Sequence, residues 1–274
     1  MVEPRGDALT TSGWTSHRLR GAGAAASAGR APGAPRASGA GRAPGAARAQ
    51  PLLALANLGG AGNALRDAPF AVLDVETTGL GPRRERIVEL AVVRVTAGGE
   101  RLAAWSTLLD PGRPVGATHI HGITDADVRG APAFAEVVGD LLSLLDGAIL
   151  VAHNAGFDAG FLAAELDRAG VTVPTLPGLC TLWLAQRLVR APDYQLATCA
   201  RVLGVRQADA HRALGDVDTT VGLLGALLAL HPPLRWPLGP PPLPPVPRSG
   251  RVQTRSDALL PPGQSPSSAR RRST

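Results

Sequence analysis

Residues 70–79 read FAVLDVETTG, an apolar run that ends in two acidic residues and a glycine. The apolar, β-branched composition of residues 70–75 predicts a central strand that is buried on both faces. Side chains at i and i+2 of a strand share one face, so Asp74 and Glu76 project together from its carboxyl end. Open α/β sheets usually bind ligands at this end, and two neighbouring carboxylates repel each other unless a cation relieves them. If the strand simply ended in a polar loop, we would expect one acid at its end, but not two on the same face.

The residues around this strand alternate between strand and helix patterns. Residues 87–95 and 102–109 predict two more strands, and Gly98-Gly99 between them predicts a tight hairpin. A short apolar run predicts a strand at 148–152. Apolar periodicity and stop signals predict helices at 132–145, 157–169, 180–189, 196–203 and 213–230. This order predicts an α/β fold with a mixed β-sheet flanked by helices.

Two further acids stand near predicted helix starts. Asp158 ends the motif HNAGFD at 153–158, where an acid that favours the helix dipole is an equally good explanation. Asp216 ends the motif HRALGD at 211–216, at the start of the longest predicted helix. Residues five apart on one helix point about 140° away from each other. His211 can therefore share a site with Asp216 only if it lies on the turn before the helix.

Charge is distributed unevenly along the chain. Residues 1–50 contain 7 arginines and 2 acids, residues 232–274 contain 7 arginines and 1 acid, and residues 51–231 contain 14 arginines and 19 acids. An acidic central part repels nucleic acid unless cations intervene, which favours a metal site over a simple phosphate-binding patch.

Low-complexity segments flank the periodic part of the chain. Residues 1–66 are rich in Ala, Gly, Arg and Pro, and residues 233–274 are rich in Pro and Arg. Such compositions bury too little apolar surface to offset the entropy of ordering. We therefore expect disordered tails at 1–66 and 233–274 around one folded domain at 67–232. No apolar run reaches the roughly 18 residues that span a bilayer, and Cys180 and Cys199 lie in apolar patterns, so we expect a cytoplasmic protein with no membrane contact.

The three acidic motifs, DVETTG, HNAGFD and HRALGD, together with HIHGIT at 119–124, resemble those of the DEDDh exonucleases. This superfamily includes the proofreading epsilon subunit of bacterial DNA polymerase III, ribonuclease T and oligoribonuclease. The resemblance covers about residues 69–230, and the spacing from His211 to Asp216 matches the histidine branch. It departs from the usual pattern at Cys180 and Cys199, which are not catalytic positions in the family. The resemblance implies a ribonuclease H-like fold for the domain at 67–232.

The resemblance also implies an activity: metal-dependent 3′→5′ hydrolysis of single-stranded or frayed DNA, with release of 5′-mononucleotides, in proofreading or repair. Carried over by motif, Asp74, Glu76, Asp158 and Asp216 hold two divalent cations, Mg²⁺ or Mn²⁺, and His211 accepts a proton from the attacking water. The implied substrate-binding residues are Thr77, Thr78, Gly79, Leu80, His153, Asn154 and Phe157. For His153, Asn154 and Phe157, helix capping and packing are equally good explanations.

Two alternatives remain open at this level. A ribonuclease that trims RNA 3′ ends or degrades oligoribonucleotides shares the catalytic motifs and differs only in its substrate groove. A non-catalytic, polymerase-associated nucleic-acid-binding module is less consistent with the acids, because arginine would serve binding better. The expected partners are DNA or RNA 3′ ends, with a DNA polymerase as a further candidate. For His119 and His121 the sequence favours a structural role over metal binding, because no third ligand lies nearby.

Overall fold

The computed structural model describes residues 51–208, 211–230 and 232–255. The strands in this part are Leu53–Leu55 (β1), Asn57–Leu58 (β2), Phe70–Thr77 (β3), Ile87–Val95 (β4), Arg101–Leu108 (β5), Ile149–Ala152 (β6), Leu176–Cys180 (β7) and Leu234–Arg235 (β8). The helices are Thr118–His121 (α1), Phe134–Leu145 (α2), Ala155–Arg168 (α3), Thr181–Leu188 (α4), Leu196–Val202 (α5) and Ala213–Leu228 (α6).

Six strands form one mixed sheet in the order β1-β7-β6-β3-β4-β5. β3 pairs antiparallel with β4 and parallel with β6, and β4 pairs antiparallel with β5. β6, β7 and β1 continue the sheet in parallel. β3 is thus a central strand, and the predicted α/β fold with a mixed sheet is confirmed.

The two faces of the sheet bury two separate apolar clusters. Phe70 and Val72 of β3 face a cluster that α4, α5 and α6 cover. Ala71, Leu73 and Val75 face the opposite cluster, which α2 and α3 cover. Because side chains alternate along a strand, Asp74 and Glu76 continue the row of Phe70 and Val72. Both acids therefore lie on the face that α6 covers.

Two predicted helices begin too early in the sequence, and the first, predicted at 132–145, starts at Phe134. Residues 180–189 were expected to be helical, but Cys180 ends β7 and the helix α4 begins at Thr181. Pro177 and Gly178 are unfavourable in strands, so the pattern does not predict β7. The strand forms because it is buried between β6 and β1, and a side chain at Gly178 would crowd Leu53 and Leu55 at 3.1–3.3 Å.

The predicted domain limits of 67 and 232 are too narrow, because residues 51–66 and 233–255 are part of the fold. β1 pairs with β7, and Asn63 forms an antiparallel bridge with Trp236. Trp236 is buried, and its Nε1 donates a hydrogen bond to the Gly178 carbonyl at 3.1 Å. A low-complexity composition cannot reveal these contacts, because each depends on a partner far away in sequence.

The expected disorder of residues 1–50 and 256–274 lies outside the described residues. Cys180 and Cys199 are both buried free thiols, as the apolar pattern predicted. Within the described part of the chain, no helix combines the length and the apolar character needed to cross a membrane. We call residues 237–255, which follow Trp236, the C-terminal strap.

Candidate active site

Three of the predicted acids meet at the carboxyl end of β3. Asp74 and Glu76 project from the strand, and Asp216 projects from the first turn of α6. Carboxylate oxygens of all three lie within 4.8 Å of one another. The three acids converge because Asp74 and Glu76 share the face of β3 that α6 covers. One cation can therefore contact all three side chains.

The turn before α6 places His211 beside this group. Arg212 is the N-cap of the helix, so His211 lies on the incoming turn, as predicted, with a positive φ of 61°. Its backbone N–H donates a hydrogen bond to Oδ2 of Asp216 at 3.1 Å. The turn therefore orients Asp216, while the His211 side chain stays exposed to solvent.

Asp158 lies in the first turn of α3 and is 3% exposed. Burial raises the pKa of its carboxyl to about 8, although backbone N–H groups of Asp158 and Val75 act in the opposite direction. The Asp158 charge in turn helps to raise the pKa of Asp74. Asp158 is thus a close neighbour of Asp74, outside the compact group of three.

Burial and mutual repulsion change the protonation of the whole cluster. Burial, followed by the charges of Asp158, Glu76, Asp216 and Glu89, raises the pKa of Asp74 well above its ordinary value. Burial, then Glu89 and Asp216, raises the pKa of Glu76 to about 7. Burial also raises the pKa of Asp216. Clustered carboxylates that repel one another are the ligand set that hard divalent cations prefer, so Asp74, Glu76 and Asp216 could hold such an ion.

Glu89 and Arg255 also belong to this region, and the sequence reasoning missed both. Glu89 of β4 lies directly opposite Glu76, is buried, and accepts a hydrogen bond from the Ala213 backbone N–H at 2.9 Å. The Arg255 guanidinium contacts the same carboxylate at 2.7 and 3.0 Å. A lone acid in the apolar strand 87–95 was a usable signal for Glu89. No local pattern could have indicated Arg255, because it lies in a low-complexity segment.

The threonine hydroxyls at the turn after β3 form hydrogen bonds with nearby groups. The Thr77 hydroxyl donates to the Gly79 carbonyl at 2.7 Å, and the Thr78 hydroxyl donates to Oε2 of Glu85 at 2.6 Å. Gly79 lies so close to Glu85 that an added Cβ would be 3.1 Å from its side chain. Leu80 is 82% exposed at the tip. Of these four predicted substrate-binding residues, Leu80 has the side chain most available to a ligand.

The second motif also carries His153, Asn154 and Phe157, the other predicted substrate-binding residues. Nδ1 of His153 lies 3.0 Å from the Thr181 hydroxyl, and Nε2 lies 2.9 Å from the Tyr194 carbonyl. Asn154 is the N-cap of α3 in a left-handed conformation, without a side-chain capping bond. Phe157 packs against Phe161 with ring centroids 4.9 Å apart. These contacts support structural roles for His153 and Phe157, and a role in substrate binding stays a prediction for all three residues.

His119 and His121 of the HIHGIT segment have different surroundings. His121 is buried and its Nδ1 accepts a hydrogen bond from the Ile123 N–H at 3.0 Å, whereas His119 is exposed. Across residues 51–208, 211–230 and 232–255, the group with a metal-binding arrangement of three or more ligands is Asp74, Glu76 and Asp216. The hydrogen bond of His121 supports a structural role for that residue, and the role of His119 stays a prediction.

Comparison with known families identifies the type of domain that carries this cluster. The profile of a family described as Exonuclease (RNase_T) matches residues 71–224, more than half of the chain. The chain belongs to this exonuclease family. The match covers all of α3 and most of β3 and α6, and it includes all four predicted carboxylates. Residues 71–224 are therefore an exonuclease domain of the DEDD type, as the sequence motifs indicated.

Similar proteins include two that carry the name DNA polymerase III. A DNA polymerase III subunit epsilon-like protein of Rhodobacter capsulatus is 39% identical over 189 residues, which cover 64% of this chain and 26% of that protein. The PolC-type DNA polymerase III of Thermotoga maritima is 35% identical over 156 residues, which cover 56% of this chain and 11% of that protein. The chain thus spans about a quarter or less of the length of these relatives.

Among solved structures, Escherichia coli exonuclease I in complex with a dT13 oligonucleotide superposes with a TM-score of 0.52. The two chains are 18% identical, and the match covers 60% of this chain and 42% of that one. This likeness supports the fold alone, and it confirms the predicted ribonuclease H-like architecture of this exonuclease-family chain.

Proposed function

We propose that the chain is a metal-dependent 3′→5′ exonuclease that releases 5′-mononucleotides from single-stranded or frayed 3′ ends. One observation carries the proposal: Asp74, Glu76 and Asp216 converge within 4.8 Å, and the turn that precedes α6 places His211 beside them. The direction of hydrolysis rests on the resemblance of the three motifs to DEDDh enzymes.

Four carboxylates would hold the cations in this mechanism. Asp74, Glu76 and Asp216 fit one Mg²⁺ or Mn²⁺, and Asp158, next to Asp74, would help to hold a second ion. When bound, such a pair stabilises the attacking and leaving oxygens of an in-line displacement at phosphorus. Asp158 is buried in the first turn of α3, and its charge helps to raise the pKa of Asp74, which supports a shared ion.

His211 would accept the proton of the attacking water and pass it to solvent. Its side chain is exposed, so proton exchange with bulk water is unobstructed. Its backbone N–H is bonded to Asp216, which fixes the turn relative to the acids. Imidazole is a common general base because it exchanges protons near neutral pH.

The terminal nucleotide would lie against the turn after β3. Leu80 is exposed and apolar there, which suits contact with a base, and the backbone groups around Gly79 are the remaining polar partners. The hydroxyls of Thr77 and Thr78 are committed to the turn itself, so these residues would act by shaping it.

A non-catalytic module is a weaker explanation of the same geometry. Burying several carboxylates that repel one another destabilises a fold, and a binding surface for nucleic acid gains nothing from such an arrangement. DNA as substrate is favoured over RNA because the relatives above carry the names of DNA polymerase III proteins. A polymerase partner, a role in repair and a cytoplasmic location stay predictions.

A labelled-oligonucleotide assay tests the proposal. The full chain would be incubated with single-stranded DNA or RNA of equal sequence, labelled at the 5′ end, with Mg²⁺, Mn²⁺ or a chelator. We expect a ladder that shortens from the 3′ end and requires metal, with DNA degraded faster than RNA. Faster degradation of RNA would select the ribonuclease alternative. Release of the 5′ label as a mononucleotide from the start would contradict the proposed direction.

A further inference from the structure

The C-terminal strap is anchored along one side of the domain before it reaches the site. The buried carboxylate of Asp140 on α2 accepts hydrogen bonds from Nε of Arg248 at 3.1 Å and from the hydroxyl of Ser249 at 2.8 Å. It also accepts from the backbone N–H groups of Ser249 and Gly250. The strap backbone passes so close to Gly139 that any side chain there would overlap Pro247. The strap is therefore part of the folded unit.

The next anchor directs the strap along β5. The Leu108 N–H donates to the Gln253 carbonyl at 2.7 Å, and the Gln253 N–H donates to the Thr107 hydroxyl at 3.0 Å. The Gln253 side chain donates to the Asp127 carbonyl at 2.6 Å. These bonds place Arg255, two residues later, beside the amino end of α6.

The Arg255 guanidinium joins three elements of the active-site region. It contacts both oxygens of Glu89 on β4, at 3.0 and 2.7 Å. It also donates to the His121 carbonyl at 2.6 Å and to the His211 carbonyl at 3.1 Å. The side chain is 15% exposed. Glu89 in turn accepts the N–H of Ala213, the first residue of α6.

We propose that Arg255 is a positioning residue for hydrolysis: through Glu89 and the His211 carbonyl it holds the turn at 211–212 and the start of α6, which carry His211 and Asp216. This inference rests on the proposed function for its effect on rate. A planar guanidinium satisfies the bidentate carboxylate and two carbonyls at once, whereas a lysine ammonium cannot reproduce this fork. Removal of Arg255 also leaves the buried Glu89 without a cationic partner.

Variants of the full chain separate this role from simple attachment of the strap. Arg255→Ala removes the guanidinium, Arg255→Lys retains only the charge, and Gln253→Ala removes a strap anchor that does not contact Glu89 or His211. We expect Arg255→Ala to lower kcat about 10–100-fold, the usual effect of removing a partner that orients a site residue, with KM nearly unchanged. Arg255→Lys should recover little of this loss, and millimolar guanidinium should recover part of it in Arg255→Ala alone.

Hydrogen–deuterium exchange provides a readout that does not depend on activity. In Arg255→Ala, amides of the peptide that spans His211 to Asp216 should exchange at least tenfold faster, whereas Gln253→Ala should leave them protected. An unchanged kcat and unchanged exchange in Arg255→Ala would overturn the inference, as would equal effects in Arg255→Ala and Gln253→Ala. If the wild-type chain hydrolyses neither DNA nor RNA, the proposed function fails, and the exchange data still decide whether Arg255 orders this turn.

Discussion

His211 combines an exposed side chain with a backbone that is fixed on both sides. Its N–H is bonded to Asp216 and its carbonyl is bonded to Arg255, so the ring is presented from a defined turn. The imidazole ring can therefore act on a water molecule near the acids, and it does not contribute to the packing of the core.

Loss of the His211 imidazole should therefore affect rate and not folding. We expect His211→Ala to lower kcat by about 10²–10⁴, the usual contribution of a general base. The melting temperature should be unchanged, because the side chain is exposed. His119→Ala is the matched control, since His119 is an exposed histidine outside the acidic cluster. A His211→Ala rate within a factor of about two of wild type would remove His211 from the mechanism.

The raised carboxyl pKa values predict a specific dependence of stability on pH. The pKa of Asp158 is about 8 and that of Glu76 about 7 in the folded chain, both raised mainly by burial. Ordinary values near 4 apply to the unfolded chain. The folded state then binds these protons more tightly, so the stabilisation is complete below about pH 4 and is lost as the pH rises through the folded values.

In a chelator, the melting temperature should fall as the pH rises from about 5 to about 8, between the unfolded and the folded pKa values, and should then level off. Mn²⁺ or Mg²⁺ should reverse this fall, since a bound cation replaces the lost protons. Differential scanning calorimetry of wild type and Asp158→Asn would measure the effect. The slope should be smaller in Asp158→Asn, and equal slopes in wild type and variant would show that Asp158 does not titrate in this range.

Much of this arrangement at the residue level was visible in the sequence, and some was not. The i, i+2 spacing of Asp74 and Glu76 predicted their shared face, and helix geometry placed His211 outside α6, as observed. Glu89 was visible as a lone acid in the apolar strand, but its position opposite Glu76 depends on the register between β3 and β4. Register is a property of strand pairing, which the pattern of one strand does not contain.

At the scale of elements, α3 is connected to the sheet by a buried ion pair. Glu165 is 1% exposed and accepts hydrogen bonds from Nε and Nη2 of Arg86 at 2.7 and 3.0 Å. Arg86 lies just before β4, and Glu165 lies on the helix that carries Asp158. The pair therefore sets the position of Asp158 relative to the sheet.

Removal of one partner of the Arg86–Glu165 pair should lower the free energy of unfolding, because the remaining charge has lost its counter-ion. Breaking a buried pair typically costs about 3–5 kcal/mol, and the 28% exposure of Arg86 favours the lower end. We expect Glu165→Gln to reduce the free energy of unfolding by about 3 kcal/mol. Urea denaturation measures this, with Asp167→Asn on the exposed side of α3 as the control. Equal stability of the two variants would show that the pair is not a structural link.

The sequence predicted most helices and strands of the domain because their apolar periods are clear. β1 and β7 were missed for a physical reason: one is only three residues long, and the other contains Pro177 and Gly178. Both exist because parallel neighbours complete their hydrogen bonds and bury them.

At the scale of the whole molecule, the folded unit extends beyond the segment that the family profile matches. β1 lies before residue 71, and Trp236 and the C-terminal strap lie after residue 224. Composition suggested tails at these places, because the contacts that order them are all long-range. The strap is also the element that brings Arg255 to Glu89.

A chain limited to residues 67–232 should therefore be less stable than one that spans residues 51–255. The shorter chain loses the β1–β7 pairing, the burial of Trp236 and the partners of Asp140. Burial of a large side chain alone contributes about 1.5–3 kcal/mol, so a clear drop in melting temperature is expected. Thermal unfolding of both chains checks this. Equal melting temperatures would mean that the flanking segments do not contribute to the stability of the domain.

The central claim is that hydrolysis occurs at Asp74, Glu76 and Asp216 with a divalent cation. The most direct measurement compares 5′-mononucleotide release by wild type, Asp74→Asn and Asp218→Asn in Mg²⁺, Mn²⁺ and chelator. Asp218 is a matched control, because it lies two residues after Asp216 on α6 and pairs with Arg101 at the surface. We predict metal-dependent release by wild type and Asp218→Asn, and none by a folded Asp74→Asn. Release by Asp74→Asn at the wild-type rate would contradict the account.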